Sequence, residues 1–129
     1  MHELELADQV LAKIRAHDGH YHKHAYVFVL QALEFSQRRL PSRRHVSGAE
    51  LAWACRDFAH AKFGLLARTV LEHFGIIRTD DFGRVVFTLV EIGLLSKEPS
   101  DSLADFHEVY DFERAFDGGY RWTGMNGPR

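Results

Sequence analysis

A mainly α, single-domain fold is what this sequence predicts, and three observations carry the prediction. Apolar residues recur at helical spacing in four segments that carry caps or glycine stops. The composition, 46% hydrophobic and 26% charged over 129 residues, is that of an ordinary globular chain. At this length one core suffices. Residues 1–117 are therefore read as one compact helical domain, and residues 118–129, GGYRWTGMNGPR, as a flexible C-terminal tail.

The first expected helix covers residues 3–17, where Leu6, Val10, Ile14 and His17 form a stripe with Leu4 and Leu11 alongside, closed by Gly19. Residues 24–39 follow as one long helix. The run Tyr26 to Leu30 has strand-like residues, but no turn signal separates it from LQALEFSQRR, and Leu40-Pro41 supplies the stop. Ser47-Gly48-Ala49-Glu50 has the form of a capping box and predicts a helix from Gly48 to about Phe63, with Leu51, Ala54, Cys55, Phe58 and Ala61 on its apolar side. A shorter helix, Leu65 to Phe74, ends at Gly75.

Thr79-Asp80-Asp81 caps the next helix, Asp80 to Ile92, which Gly93 ends. Phe82, Val85, Val86, Phe87, Leu89, Val90 and Ile92 make it apolar nearly all round, so it is read as the buried central helix, with Phe87 in the core. Beyond Gly93 the proline turn Glu98-Pro99-Ser100-Asp101 suggests a small winged-helix-like hairpin, and DFHEVYDFERAF, residues 105–116, is helical in part.

Composition also excludes. The longest apolar run, Ala25 to Leu30, falls far short of the ~20 residues that span a bilayer. The start, MHELELADQV, is acidic and amphipathic, unlike a secretion signal, and a lone Cys55 offers no disulfide framework, so a cytoplasmic protein is expected. Residues 1–79 carry 11 Lys/Arg against 8 Asp/Glu, and residues 80–129 carry 5 against 10. That asymmetry argues against a uniformly basic nucleic-acid coat while permitting a local basic patch.

Three constellations carry candidate chemistry. HDGHYHKH, residues 17–24, holds four of the nine histidines. His20, His22 and His24 are the candidate metal ligands, although a zinc site needs three or four ligands in tetrahedral array and no cysteine is near, so a solvated inter-helix turn is the plainer reading and no metal or cofactor is assigned. Glu50, Trp53, Asp57 and His60 share one side of the capping-box helix and form a candidate surface. With no nucleophile motif, phosphate loop or H-E-x-x-H in the chain, catalysis there is not expected. Arg38, Arg39, Arg43 and Arg44 flank Pro41 in the one concentrated basic block, suited to phosphates or clustered carboxylates. In a winged helix the third helix would read the major groove with polar side chains, and the apolar Asp80–Ile92 segment does not fit that task.

The strings HVSGAEL, RDFA, TVLEHFGI, TDDFGRVVFTLVEIGLLSK and VYDFERAF, with HAYVFVLQALEF before them, resemble a small uncharacterised bacterial family of about this length, over roughly residues 21–116. The resemblance implies a stand-alone cytoplasmic domain and supplies no activity or catalytic residue. The sequence is thus read as a non-enzymatic interaction module with a protein partner and no membrane association. A nucleic-acid- or ribosome-associated winged-helix-like module is the alternative, and a small metal-dependent enzyme using His20, His22 and His24 comes third.

Overall fold

A computed structural model describes residues 12–14, 16 and 20–118. The expected helix 3–17 lies largely outside the described residues, as does most of the expected tail. Residues 12–14 and 16 are helical, and Ile14 is buried in the core.

Four α-helices follow in chain order: α1 (Lys23–Arg38), α2 (Gly48–Phe63), α3 (Ala67–His73) and α4 (Thr79–Glu91). A 3-10 turn, Gly64–Leu66, leads into α3; a second, Leu103–Phe106, and a π-helical turn, Glu113–Gly118, close the described chain. The fold is mainly α, and no strand occurs among the described residues.

Local chemistry explains the helix ends. At α2 the capping box is complete: the Glu50 N–H donates to Ser47 Oγ (3.1 Å) and the Ser47 N–H donates to Glu50 Oε1 (2.9 Å). At α4 the sequence points to Thr79 as the cap, and the structure differs. Asp81, buried in the first turn, reaches back to accept the N–H groups of Ile77 (2.8 Å) and Arg78 (3.1 Å). It also accepts from Tyr21 Oη (2.6 Å) and Arg84 (2.8 Å), and burial together with the hydrogen bond to Asp81 pushes the Tyr21 hydroxyl up to about 12. Gly75 and Gly93, the expected stops, take φ of 95° and 84°, where a side chain would be strained.

The core joins α1, α2 and α4 through Phe28, Val29, Leu51, Cys55, Phe82, Val85 and Leu89, with Phe28 and Phe82 stacked at 6.5 Å. Two details of the expected packing are corrected. Ala52 and Ala59 are buried on α2 while Ala61 is exposed, because the α1 and α4 contacts draw the seam round the helix. On α4, Phe82 is the fully buried aromatic and Phe87 only half-buried, since the helix packs on its Phe82–Val85–Leu89 face.

The expected hairpin is absent. Residues 95–98 have no regular secondary structure, a turn follows at Pro99, and the chain then enters the 3-10 turn Leu103–Phe106, which packs on α2 and α4. Phe106 fills the space left by two glycines. A Cβ at Gly83 would lie 2.8 Å from its ring and 2.9 Å from its own Cβ, and one at Gly48 would lie 3.0 Å from the ring. The Thr79 hydroxyl donates to the Phe106 carbonyl (2.6 Å) and accepts from the Val109 N–H (3.1 Å), so its role is to fasten this segment rather than to cap α4. The chain after the proline turn that suggested a wing thus lays one aromatic across a helix crossing.

Candidate functional site

The connector between α1 and α2 is held from below by a buried amide. Gln37 donates to the Arg44 carbonyl (2.6 Å) and accepts from the Arg44 N–H (3.2 Å), pairing with both backbone groups of one residue as a neighbouring strand would. Gln37 is buried, and this pairing satisfies both ends of its amide. The connector is therefore fixed at Arg44.

Each of the four arginines meets a carboxylate. Arg38 and Arg43 both reach Glu34, at 3.5 and 3.1 Å. Arg39 meets Asp57 at 3.0 Å, its guanidinium also lying 4.9 Å from the Phe35 ring. Arg44 takes Glu50 in a two-pronged pair at 3.1 and 2.9 Å and donates to the His45 carbonyl. The paired Arg44 guanidinium and the Ser47 N–H pull the Glu50 carboxyl down to about 2, and Arg43 holds Glu34 below the usual range.

Arg39 and Arg44 line one surface with the Glu50 face of α2, while Arg38 and Arg43 pair with Glu34 on α1. Between the Arg39–Asp57 and Arg44–Glu50 pairs lies a cleft of about 330 Å³, with Leu40, Val46 and Ala54 on its walls and Trp53 beside them. Trp53 is 41% exposed. Its inner edge rests on Tyr110 (ring centroids 4.6 Å apart), and the Arg56 guanidinium lies 4.7 Å above it. Asp57 joins the two halves, accepting from Arg39 through Oδ2 and from Arg56 through Oδ1. His60, the fourth residue of the expected face, turns inward instead: its ring meets Phe116 at 5.2 Å, and desolvation, followed by the nearby Arg56, lowers its pKa.

The three candidate histidines do not gather at one point. His22 is the N-cap of α1, its Nδ1 accepting from the His24 N–H (3.1 Å), and its ring stacks on His24 and against Phe74 and His73. Partial desolvation and the imidazoles of His24 and His73 lower the His22 pKa. His20 points to Tyr21. Among the described residues, no group of three or more His, Cys, Asp or Glu side chains is arranged to hold a metal ion.

Sequence reasoning missed Glu34, Gln37 and Tyr110. The spacing of Glu34 and Arg38, four apart on a helix, was a legible signal for the first. Gln37 and Tyr110 act across the fold, and no local pattern marks them. No helix among the described residues is long and apolar enough to cross a membrane. No protein family, curated protein or solved structure matches the chain.

Proposed function

We propose that the chain is a non-enzymatic interaction module that binds a partner protein through the surface joining Arg38, Arg39, Arg43 and Arg44 to the outer face of α2. The observation that carries this reading is the half-exposed Trp53 beside a cleft bordered by two arginine–carboxylate pairs. Tryptophan and arginine dominate the energetics of protein contacts, because a rigid aromatic buries a large area at little entropic cost while guanidinium groups order the rim. Since Glu34, Glu50 and Asp57 already face the four arginines, a partner need not be a polyanion. That weighs against the nucleic-acid or ribosome alternative, in which the same arginines would clamp phosphates.

The setting we propose is the cytoplasm: the single cysteine, Cys55, is fully buried, its thiol pushed up by desolvation, as suits a small core residue in a reducing compartment. Membership of the small bacterial family stands as a proposal on the motifs alone.

The test is affinity capture of the tagged full chain from cells, with and without nuclease, beside Trp53→Ala and Arg44→Ala. A defined protein partner that survives nuclease and is lost in Trp53→Ala supports the module. Loss of all captured material on nuclease treatment, or capture indifferent to Trp53→Ala, rules it out.

A further inference from the structure

A second cleft lies on the other side of the connector, and it differs in character. It measures about 420 Å³, within the range of small-ligand sites, and opens between α1, residues 43–46, α4 and the segment 95–106. Its floor is apolar: Leu33, Val46, Val86, Phe87 and Leu95 are all half-buried, so each leaves part of its surface facing the opening. Phe87 is the aromatic that the packing of α4 leaves out of the core.

The charges at the mouth are mostly engaged already. Arg43 and Arg44 meet Glu34 and Glu50. His45 lies between Asp101 (3.1 Å) and Glu98 (3.7 Å). Asp101 also accepts the Glu98 N–H (2.8 Å), and Asp105 the Ser102 N–H (3.0 Å). Lys97 differs from them. Its ammonium lies 6.0 Å from the Phe87 ring centroid and touches only the peptide carbonyls of Glu98 (3.3 Å) and Asp101 (3.4 Å). Among the described residues no carboxylate lies within salt-bridge distance of it.

We propose that this cleft binds a small amphipathic monocarboxylate, its apolar body on Phe87, Val86 and Leu33 and its carboxylate on Lys97. A compact ammonium above an aromatic floor offers one point charge beside an apolar surface, which is the complement of such a ligand. The acidic side chains nearby set the charge limit: Glu98, Asp101 and Asp105 would repel a dianion such as a phosphate monoester more strongly than a monoanion. The site is separate from Trp53, which lies across the Arg44–Val46 ridge, so the two can fail independently.

The test is titration of the full chain with phenylbutyrate, phenylbutanol and phenylbutylamine, followed by amide NMR shifts. Phenylbutyrate should saturate, with its shifts centred on residues 86–87 and 95–97. The alcohol should bind about tenfold more weakly, the scale of one charge-assisted contact. Lys97→Met, at an exposed position, should keep its helical circular dichroism and bind acid and alcohol alike, while Phe87→Ala should weaken both. The proposal is overturned if phenylbutyrate does not saturate, if its shifts map elsewhere, if the amine binds as well, or if Lys97→Met leaves the preference for the acid intact.

Discussion

The Phe106 junction and the arginine connector both hold α2 in place, and they do so by opposite means. At the junction one aromatic ring lies on two glycines from α2 and α4, out of water, with a threonine hydroxyl closing the segment's peptide groups. At the connector, besides the buried Gln37 amide at Arg44, the contacts are ion pairs whose members are mostly about half exposed; Arg44 and Glu50 are 51% and 46% so. Excluded volume and apolar burial at the first are worth several kcal/mol, whereas an exposed pair contributes about 0–1 kcal/mol. The comparison separates two tasks. The junction fixes the fold, and the connector's pairs orient side chains on a surface that remains open to a partner.

Breaking the junction should therefore cost most. Phe106→Ala should destabilise by about 3–5 kcal/mol in urea unfolding, as buried aromatic truncations do; a loss below about 1 kcal/mol would mean that the ring is not structural. Gly83→Ala should come next. Alanine favours helix over glycine by about 1 kcal/mol, but a Cβ 2.8 Å from Cγ and 2.9 Å from Cβ of Phe106 meets the stiff base of that side chain, and overpacking costs about 1–3 kcal/mol. Net destabilisation is expected, and a gain in melting temperature would show that the ring yields freely.

The connector should respond mainly to acid. A carboxyl depressed in the folded state contributes stability that is present above its ordinary range and is lost as pH falls toward its folded value. For Glu50 that window runs from its ordinary 4.5 down to about 2. Glu50→Gln should remove this part of the acid unfolding curve and, because the same contribution is present at neutral pH, lower stability there by the small amount an exposed pair is worth, about 0–1 kcal/mol. A large neutral-pH loss would mean that the ion pairs carry the fold after all.

How much of this was legible depends on range. The capping box at Ser47–Glu50, the stops at Pro41, Gly75 and Gly93, and the run of α1 through Tyr26–Leu30 are local signals, and each helix they mark is present. The faces were harder. Ala61 and Phe87 satisfy helical periodicity but lie off the seam, because the neighbours that select a face arrive from distant sequence. The hairpin reading failed for a related reason: Leu94 to Asp101 has the residues of a strand and turn, yet the chain just after it places Phe106 on a glycine-lined crossing, and nothing near Phe106 in sequence announces that. In the same way the arginine block was visible as charge, while its neutralisation by Glu34, Glu50 and Asp57 follows from Gln37 turning the connector back over α1 and α2.

The central claim is that these four arginines form an internally paired contact surface and not a phosphate clamp. The direct measurement is the affinity of the full chain for a short DNA duplex across a salt series. Four free arginines on phosphates would give a slope of about −3.6 in log affinity against log salt, at roughly 0.9 per phosphate neutralised. The paired surface predicts weak binding with a slope no steeper than about −1, rising in the Glu34→Gln, Glu50→Gln, Asp57→Asn triple variant as the guanidinium groups are released. Tight binding by the unaltered chain with a slope near −3.6, unchanged in the triple variant, would contradict it.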